Sequence, residues 1–355
     1  MTAATVRLPR ALNEIDAAWL TSALSSTHPG VIVREVAFGQ SVRATGTKLR
    51  MMLDYNEAGH RARLPATMWF KGGYEAHSEH VRTSHARESL FYADVAPLGL
   101  INAPKCYFAG VDAETGFGVQ LIEDLLQRNA WFGDARRPIG AEIARRALAQ
   151  LARLHAYCWN APTLDALGPV GGSLASDGIV LRIMGDGAWE KAMQSPLAEH
   201  LPTPLRTHEG AVAGMERLWA LDRASQTRCM VHGDAHPGNL FFEQDGEPGF
   251  LDWQRFMQSD WGHDVAYFLI GSMEAEACAA AERELLAFYL DALVNAGVNA
   301  PSWDEAWLSY RRHAMYGLVW NVVPPRMQPL EVCEAEAQRF NAAVTRLGTH
   351  EALFG

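Results

Sequence analysis

Three oxygen-bearing side chains carry the most legible chemistry in this sequence. Asp234 is followed five residues later by Asn239, and thirteen residues after that by Asp252, at the end of the apolar run Gly249-Phe250-Leu251. A carboxylate can orient a hydroxyl and take its proton. An amide oxygen and a second carboxylate can hold a magnesium ion that bridges phosphates, so the set suits phosphoryl transfer. Gly233, Pro237 and Gly238 make a helix implausible here and let the loop bend Asp234 and Asn239 toward a common point. The runs Leu240-Phe241-Phe242 and Gly249-Phe250-Leu251 read as paired strands beneath them, so all three residues belong to one short β-hairpin. Taken singly, His-Gly-Asp and Pro-Gly-Asn are ordinary turns in which Asp and Asn cap their own backbone; their joint spacing favours function. His232 and His236 lie four apart, but zinc binding at that spacing needs a helix, and the glutamate of HExxH is missing. His232 is expected to be a packed, hydrogen-bonded loop residue.

The segments VHGDAHPGN (231–239) and FLDWQ (250–254) resemble the catalytic loop and metal-binding strand of the aminoglycoside phosphotransferase and choline kinase superfamily. Gln254 after Leu-Asp-Trp, and GHDVAYFL from Gly262, are similar to its ecdysteroid-kinase-like branch. The resemblance implies a protein-kinase-like fold and an ATP-dependent phosphotransferase, with GTP as the alternative donor and Mg2+ as cofactor. It implies Asp234 as the catalytic aspartate, with Asn239 and Asp252 as metal ligands. The partner would be a small-molecule hydroxyl acceptor.

Such an enzyme also needs a strand-borne lysine on the phosphates and a helical glutamate to hold it. Lys71 ends a strand candidate, and Glu88 follows 17 positions later in a helix candidate. The bland alternatives are a solvated strand end for Lys71 and an acid on a wet helix face for Glu88. Glu75 and Glu79 compete for the same lysine. The nucleotide-covering loop is expected at GQSVRATGT (39–47), with Ser41, Thr45 and Gly46 toward phosphate. It lacks G-x-G-x-x-G, and a plain turn fits it nearly as well. GVQLIEDL (118–125) resembles the hinge segment, where backbone groups of Glu123 and Leu125 would meet the adenine edge.

Elements must position these residues. From Val31 to about Leu126 the pattern is strand-like, broken by a helix over Ser78–Ala96 that Pro97 and Gly99 stop. The strand candidates are 31–39, 48–55, 66–73, 105–111 and 118–125, with NEAGH (56–60) as a turn. Helical patterns follow over Ala141–Trp159, Ala275–Ala296, Trp303–Val322 and Leu330–Leu347. A β-rich first third before a helical remainder predicts an α+β, two-lobed protein. Residues 1–126 would form a small N-terminal nucleotide-binding lobe, and residues 127–355 a larger, mostly helical catalytic and acceptor-binding lobe.

The 355 residues carry a formal charge of −10, which argues against a broad nucleic-acid or anionic-membrane surface. There are four lysines, Lys48, Lys71, Lys105 and Lys191, against 27 arginines, so any mechanism needing a lysine has few candidates. Five scattered cysteines without a Cys-x-x-Cys pair read as reduced thiols. Glu14 and Asp16 interrupt any secretory segment, so the cytoplasm is the expected location. Specificity is expected in residues 127–138, 163–201 and the C-terminal helices, where Trp131, Trp189, Trp303, Trp307, Tyr310, His313, Tyr316 and Trp320 could line a pocket but more commonly build core. The region Asp165–Ala198 carries only scattered acids such as Asp177, Asp186 and Glu190, which favours a neutral hydroxylated metabolite over a polycationic aminoglycoside. Two alternatives stay open: a catalytically idle kinase-like binding protein, and a metal-dependent hydrolase using His232, Asp234 and His236. The absence of GxxxxGK[ST] and G-x-S-x-G disfavours P-loop and serine-hydrolase chemistry.

Overall fold

A computed structural model describes residues 6–43, 45–112, 114–162, 164, 173–174, 178–185, 187–320 and 328–355, with the backbone alone at 197. Contacts divide the chain into two compact units: Met1–Ala130 with Leu251–Arg255, and Trp131–Phe250 with Phe256–Gly355. The fold is α+β, β-rich in the first unit and mostly helical in the larger second one. The first unit is discontinuous, because a five-residue piece carrying Asp252 clusters with it.

The first unit holds a five-stranded antiparallel sheet in the order β1-β2-β3-β5-β4, made of β1 (Val33–Arg43), β2 (Thr47–Tyr55), β3 (Thr67–Gly72), β4 (Cys106–Val111) and β5 (Gly118–Glu123). Side chains alternate across it. Met51 and Leu53 on β2, Met68 and Phe70 on β3, and Val119 and Leu121 on β5 bury one face in a core shared with Leu20, Ala23 and Leu24 of helix α1 (Ala17–Ser25). The intervening residues lie on the opposite face. There Lys48 pairs with Lys71 across β2 and β3, Arg50 with Trp69, and Lys71 with Gln120 of β5.

The expected loop at 39–47 proves to be mostly strand. β1 continues to Arg43 and β2 starts at Thr47, with a bulge between Phe38 and Ser41 where Gly39 and Gln40 fall out of register. The strand-favouring Val42 and Thr47 extend the ladder on either side of the turn. Residues 56–60 are also not a bare turn. Asn56 caps a short helix α2 (Glu57–Arg61) by accepting from the Gly59 N–H. The helix expected over Ser78–Ala96 is compound: a 3-10 turn (Ser78–Val81), α3 (Arg82–Leu90), a π-helical turn (Phe91–Val95) and a 3-10 turn (Ala96–Leu98). The π turn seats Phe91 on Trp253, with ring centroids 3.6 Å apart and planes at 7°. Helix α3 buries polar residues, His85, Glu88 and Ser89, because it faces the polar side of the sheet. It runs so close to β5 that a Cβ on Gly118 would meet the His85 carbonyl at 2.5 Å.

In the second unit, helix α4 (Ala141–Tyr157) lies along α7 (Ala275–Asn295), and α6 (Gly262–Ser272) is buried along its whole length. Helices α5 (His208–Ala224), α8 (Trp303–Val319), α9 (Leu330–Arg346) and α10 (Thr349–Phe354) complete the long helical elements described. A three-stranded sheet orders β6 (Trp131–Phe132), β8 (Leu240–Phe242) and β9 (Pro248–Phe250). β7 (Cys229–Val231) pairs separately with β10 (Met257–Ser259). Among the described residues no helix is long and apolar enough to cross a membrane, and all five cysteines are free thiols.

A polar knot ties β7, β10, α5 and α8 together. Asp260 accepts from Ser309 and the Gly262 N–H through one oxygen, and from Ser225 and Thr227 through the other. His313 lies 3.2 Å from Asp222. Burial alone would lower the His313 pKa; the charge of Asp222 and its hydrogen bond, with help from Asp260, raise it to about 9. A histidine with a raised folded pKa contributes stability that is complete below the unfolded value of about 6.5 and lost as pH climbs through about 9. The gap in unfolding midpoint between wild type and His313→Gln should therefore narrow as pH rises from 6.5 to 9. A gap that stays constant over that interval would show that His313 is not held protonated.

Candidate active site

The polar face of the first unit's sheet gathers a set of buried charges. Lys71 lies two residues along β3 from Trp69, on the same polar face, and is 2% exposed. Its Nζ donates to Glu88 Oε1 at 2.7 Å and to Asp252 Oδ1 at 3.0 Å, and lies 2.6 Å from Glu88 Oε2. Neither bland alternative holds: Lys71 is not a solvated strand end, and Glu88 is 1% exposed on the buried face of α3. The competing acids have other partners, since Glu75 accepts from Thr47 at 2.7 Å and Glu79 pairs with Arg82 at the surface.

A second cation, which sequence reasoning missed, reaches the same carboxylate: Lys48 Nζ lies 3.2 Å from Asp252 Oδ2. The available signal was the alternation in Lys48-Leu49-Arg50-Met51, which puts both cations on the face opposite Met51. Burial would raise the Asp252 pKa, but the charges of Lys71 and Lys48 overturn that and hold it well below the usual carboxylate range. Burial would lower Lys71, and Asp252 and Glu88 keep it raised and protonated. Glu88 is pushed up by desolvation, with help from the Asp252 charge, against the opposing pull of Lys71 and, more weakly, Lys48. Asp252 adopts a left-handed backbone, φ +58°, at a cost of about 1–2 kcal/mol for an L-residue. Its two ion pairs and the Phe91–Trp253 stack beside it hold that conformation.

The other nucleotide-loop candidates are placed less tellingly. Ser41 is an exposed β1 residue opposite Leu49, not a loop residue. Thr45 is exposed at the turn, where its carbonyl accepts from Ser78 Oγ at 3.4 Å. Gly46 is buried over His85, whose ring a Cβ would meet at 2.6 Å. Burial and the nearby Lys71 charge push His85 down to about 4. Glu123 ends β5, and its N–H donates to the Lys105 carbonyl at 2.8 Å. Leu125 is buried at the head of a 3-10 turn, Leu125–Arg128. That turn is capped by Asp124, an acid that also binds Arg50 Nε at 2.7 Å and was not singled out from sequence.

In the second unit, the loop between β7 and β8 carries Asp234 and Asn239. Asn239 Nδ2 donates to the Asp234 carbonyl at 2.9 Å and to Asp234 Oδ2 at 3.1 Å, which turns the amide oxygen away from Asp234. Gly233 makes the turn with φ +79°. His232 is fully buried, and its Nδ1 accepts from the Asp234 N–H at 3.2 Å, the packed loop role expected for it. The loop hangs on Asp264, a second residue that sequence reasoning missed. Its carboxylate accepts from the N–H groups of His232 (2.6 Å) and Gly233 (2.9 Å) and lies 3.2 Å from His155 Nε2. Burial would raise the Asp264 pKa; the His155 hydrogen bond and neighbouring imidazoles lower it instead. The signal for it was Gly-His-Asp opening a helix, which had served only as a family marker. Beyond the loop, β8 and β9 pair Leu240 with Phe250, and Asp252 follows two residues later in the chain.

Each unit by itself offers donors whose chemistry suits a hard cation or a phosphate. Asp252 is ionised, as a ligand of a hard cation must be, Asn239 offers an amide oxygen, and two ammonium groups stand on Asp252. Half of the aromatic acceptor candidates are core: Trp189, Tyr310, His313 and Tyr316 are buried, whereas Trp303, Trp307 and Trp320 are half-buried and Trp131 is 43% exposed and stacks on Phe242. Asp165, Asp177 and Asp186 lie outside the described residues, as does most of 163–177.

Comparison with known proteins places this geometry in a family. The family model described as "Phosphotransferase enzyme family" matches residues 75–307, well over half of the chain. No curated protein matches. An ethanolamine kinase from Plasmodium vivax shares the fold with TM-score 0.51 at 11% identity, over 87% of this chain and 81% of that one. A choline kinase from Streptococcus pneumoniae (TM-score 0.48, 14% identity, 89% and 94% covered) is also similar. So is the GDP complex of aminoglycoside 2'-phosphotransferase-IIIa (TM-score 0.47, 13% identity, 93% and 99% covered). With the kinase-like fold and the family match together, the chain belongs to the phosphotransferase enzyme family.

Proposed function

We propose that this protein is a magnesium-dependent kinase that moves the terminal phosphoryl group of ATP, or alternatively GTP, onto a hydroxyl of a small molecule. The observation that carries the proposal is Lys71, a buried cation bonded at once to Glu88 and to Asp252. Burying such a set is costly, and a polyphosphate is a ligand that makes use of it. In this proposal Lys71, steadied by Glu88, grips the phosphates, and the turn with Thr45 and Gly46, next to Ser41, covers them. Backbone groups of Glu123 and Leu125 meet the base. Asn239 and Asp252 are the magnesium ligands, and bound magnesium would neutralise phosphate charge. Asp234 orients the acceptor hydroxyl and takes its proton. The acceptor oxygen bonds to the γ-phosphorus as the bond from that phosphorus to the bridging oxygen breaks, and the nucleoside diphosphate leaves with the electron pair.

For the acceptor we favour a neutral hydroxylated metabolite, as the ecdysteroid-kinase-like features suggest. Among the acids weighed earlier, Glu190 is described and it is exposed. The setting proposed is the cytoplasm, without nucleic-acid or membrane partners. A hydrolase built on His232, Asp234 and His236 is less favoured, because the His232 ring is buried and turned to the Asp234 N–H.

Asp234→Asn should keep nucleotide affinity and lower turnover by roughly 10²–10⁴-fold, measured as nucleoside diphosphate release with a panel of hydroxylated metabolites. Wild-type turnover in that variant would remove Asp234 from its role. Lys71→Ala should raise the nucleotide KM by about tenfold or more, and unchanged kinetics would return Lys71 to a structural part. Binding without turnover in the wild type, across the panel, would favour the idle alternative.

A further inference from the structure

Asp252 binds two lysines, and the proposed function uses only one of them. Lys71 and Lys48 sit directly across from each other on β3 and β2, one on each oxygen of the carboxylate, at 3.0 and 3.2 Å. Half of the lysines in the chain therefore meet at one acid. Their situations differ. The Lys71 side chain is 3% exposed and keeps Glu88 as a partner whatever happens at Asp252, whereas the Lys48 side chain is 35% exposed and has Asp252 as its ion-pair partner.

We propose that Lys48 is a second phosphate-binding cation, parked on Asp252 until a metal-bound nucleotide takes that carboxylate over. The inference rests on Asp252 being a magnesium ligand. Two ammonium groups balance Glu88 and Asp252 in the free protein. Once Asp252 turns its oxygens to a divalent cation, Lys71 stays neutralised by Glu88 and Lys48 is left without its counter-charge. A partly exposed ion pair is weak and opens at little cost, and a lysine stem with four rotatable carbons can carry its ammonium to a neighbouring phosphate. Two consequences have opposite signs. Removing Lys48 should weaken polyphosphate binding, and it should also free Asp252 to bind a divalent cation more tightly when no nucleotide is present. A lysine that merely decorates the surface would produce neither effect.

The test is calorimetric. Wild type, Lys48→Met, Lys48→Arg, Lys71→Met and Asp252→Ala are each titrated with the β,γ-imido analogues of ATP and GTP, with ADP and with adenosine, all with Mg2+. Mn2+ alone is titrated separately and followed by its electron-spin signal. For Lys48→Met we expect about a tenfold loss of affinity for the triphosphate analogue, a smaller loss for ADP and none for adenosine, with several-fold tighter Mn2+ binding and an unchanged unfolding midpoint. Lys48→Arg should recover most of the triphosphate affinity. If Lys48→Met binds all ligands as wild type does while Lys71→Met and Asp252→Ala lose the triphosphate, Lys48 has no phosphate role and the kinase assignment stands. A loss of equal size for adenosine would make Lys48 structural and overturn the inference. A wild type that binds no nucleotide overturns both.

Discussion

The first unit is organised around one ammonium group that is almost completely shut off from water. A lysine at 2% exposure is tolerable only with counter-charges in contact, and Lys71 has two, one on a helix and one on a five-residue piece from far along the chain. Removing one member of a buried ion pair typically costs about 3–5 kcal/mol, so β3, α3 and the Asp252 segment are constrained to one arrangement. The rest of the unit conforms to it. Helix α3 carries polar residues inward, Gly118 lets that helix approach β5, and the π turn aligns Phe91 with Trp253 next to Asp252.

The second unit applies the same economy to a loop. Asp264, buried and charged, spends its oxygens on the N–H groups of His232 and Gly233 and on His155. The turn before Asp234 is thereby held from below, and Asn239 holds it from the other end through two hydrogen bonds to Asp234. A carboxylate that must act on a substrate benefits from a backbone that does not move with it.

Much of this was legible in the residues. The spacing of Asp234, Asn239 and Asp252 and the flanking apolar runs announced a loop between paired strands, and the Leu240–Phe250 pairing is the one those runs imply. Lys71 and Glu88 were recognisable by position, but their burial was not. A helix reading Arg-Thr-Ser-His-Ala-Arg-Glu-Ser-Leu looks wet, and amphipathic logic assumes an apolar partner face. Here the partner face is polar, so the rule inverts. Lys48 is hidden for a related reason: nothing in Lys48-Leu49-Arg50-Met51 tells that the face opposite Met51 packs on charged groups and not on water. The loop expected at 39–47 became strand because a bulge absorbs Gly39 and Gln40 without ending the ladder. Acceptor specificity stays the least legible part, since aromatics at helical spacing serve a pocket or a core equally well by pattern, and those of α8 chiefly build core.

The most direct test of a polyphosphate grip around Lys71 is the unfolding midpoint of the wild-type protein with ATP and with GTP, each with and without Mg2+. A ligand that binds only the folded state stabilises it by about 2.7 kcal/mol at a hundredfold excess over Kd. The account predicts a rise with at least one nucleotide that deepens when Mg2+ is added and disappears in Asp252→Ala. A midpoint indifferent to both nucleotides and to the metal would contradict it.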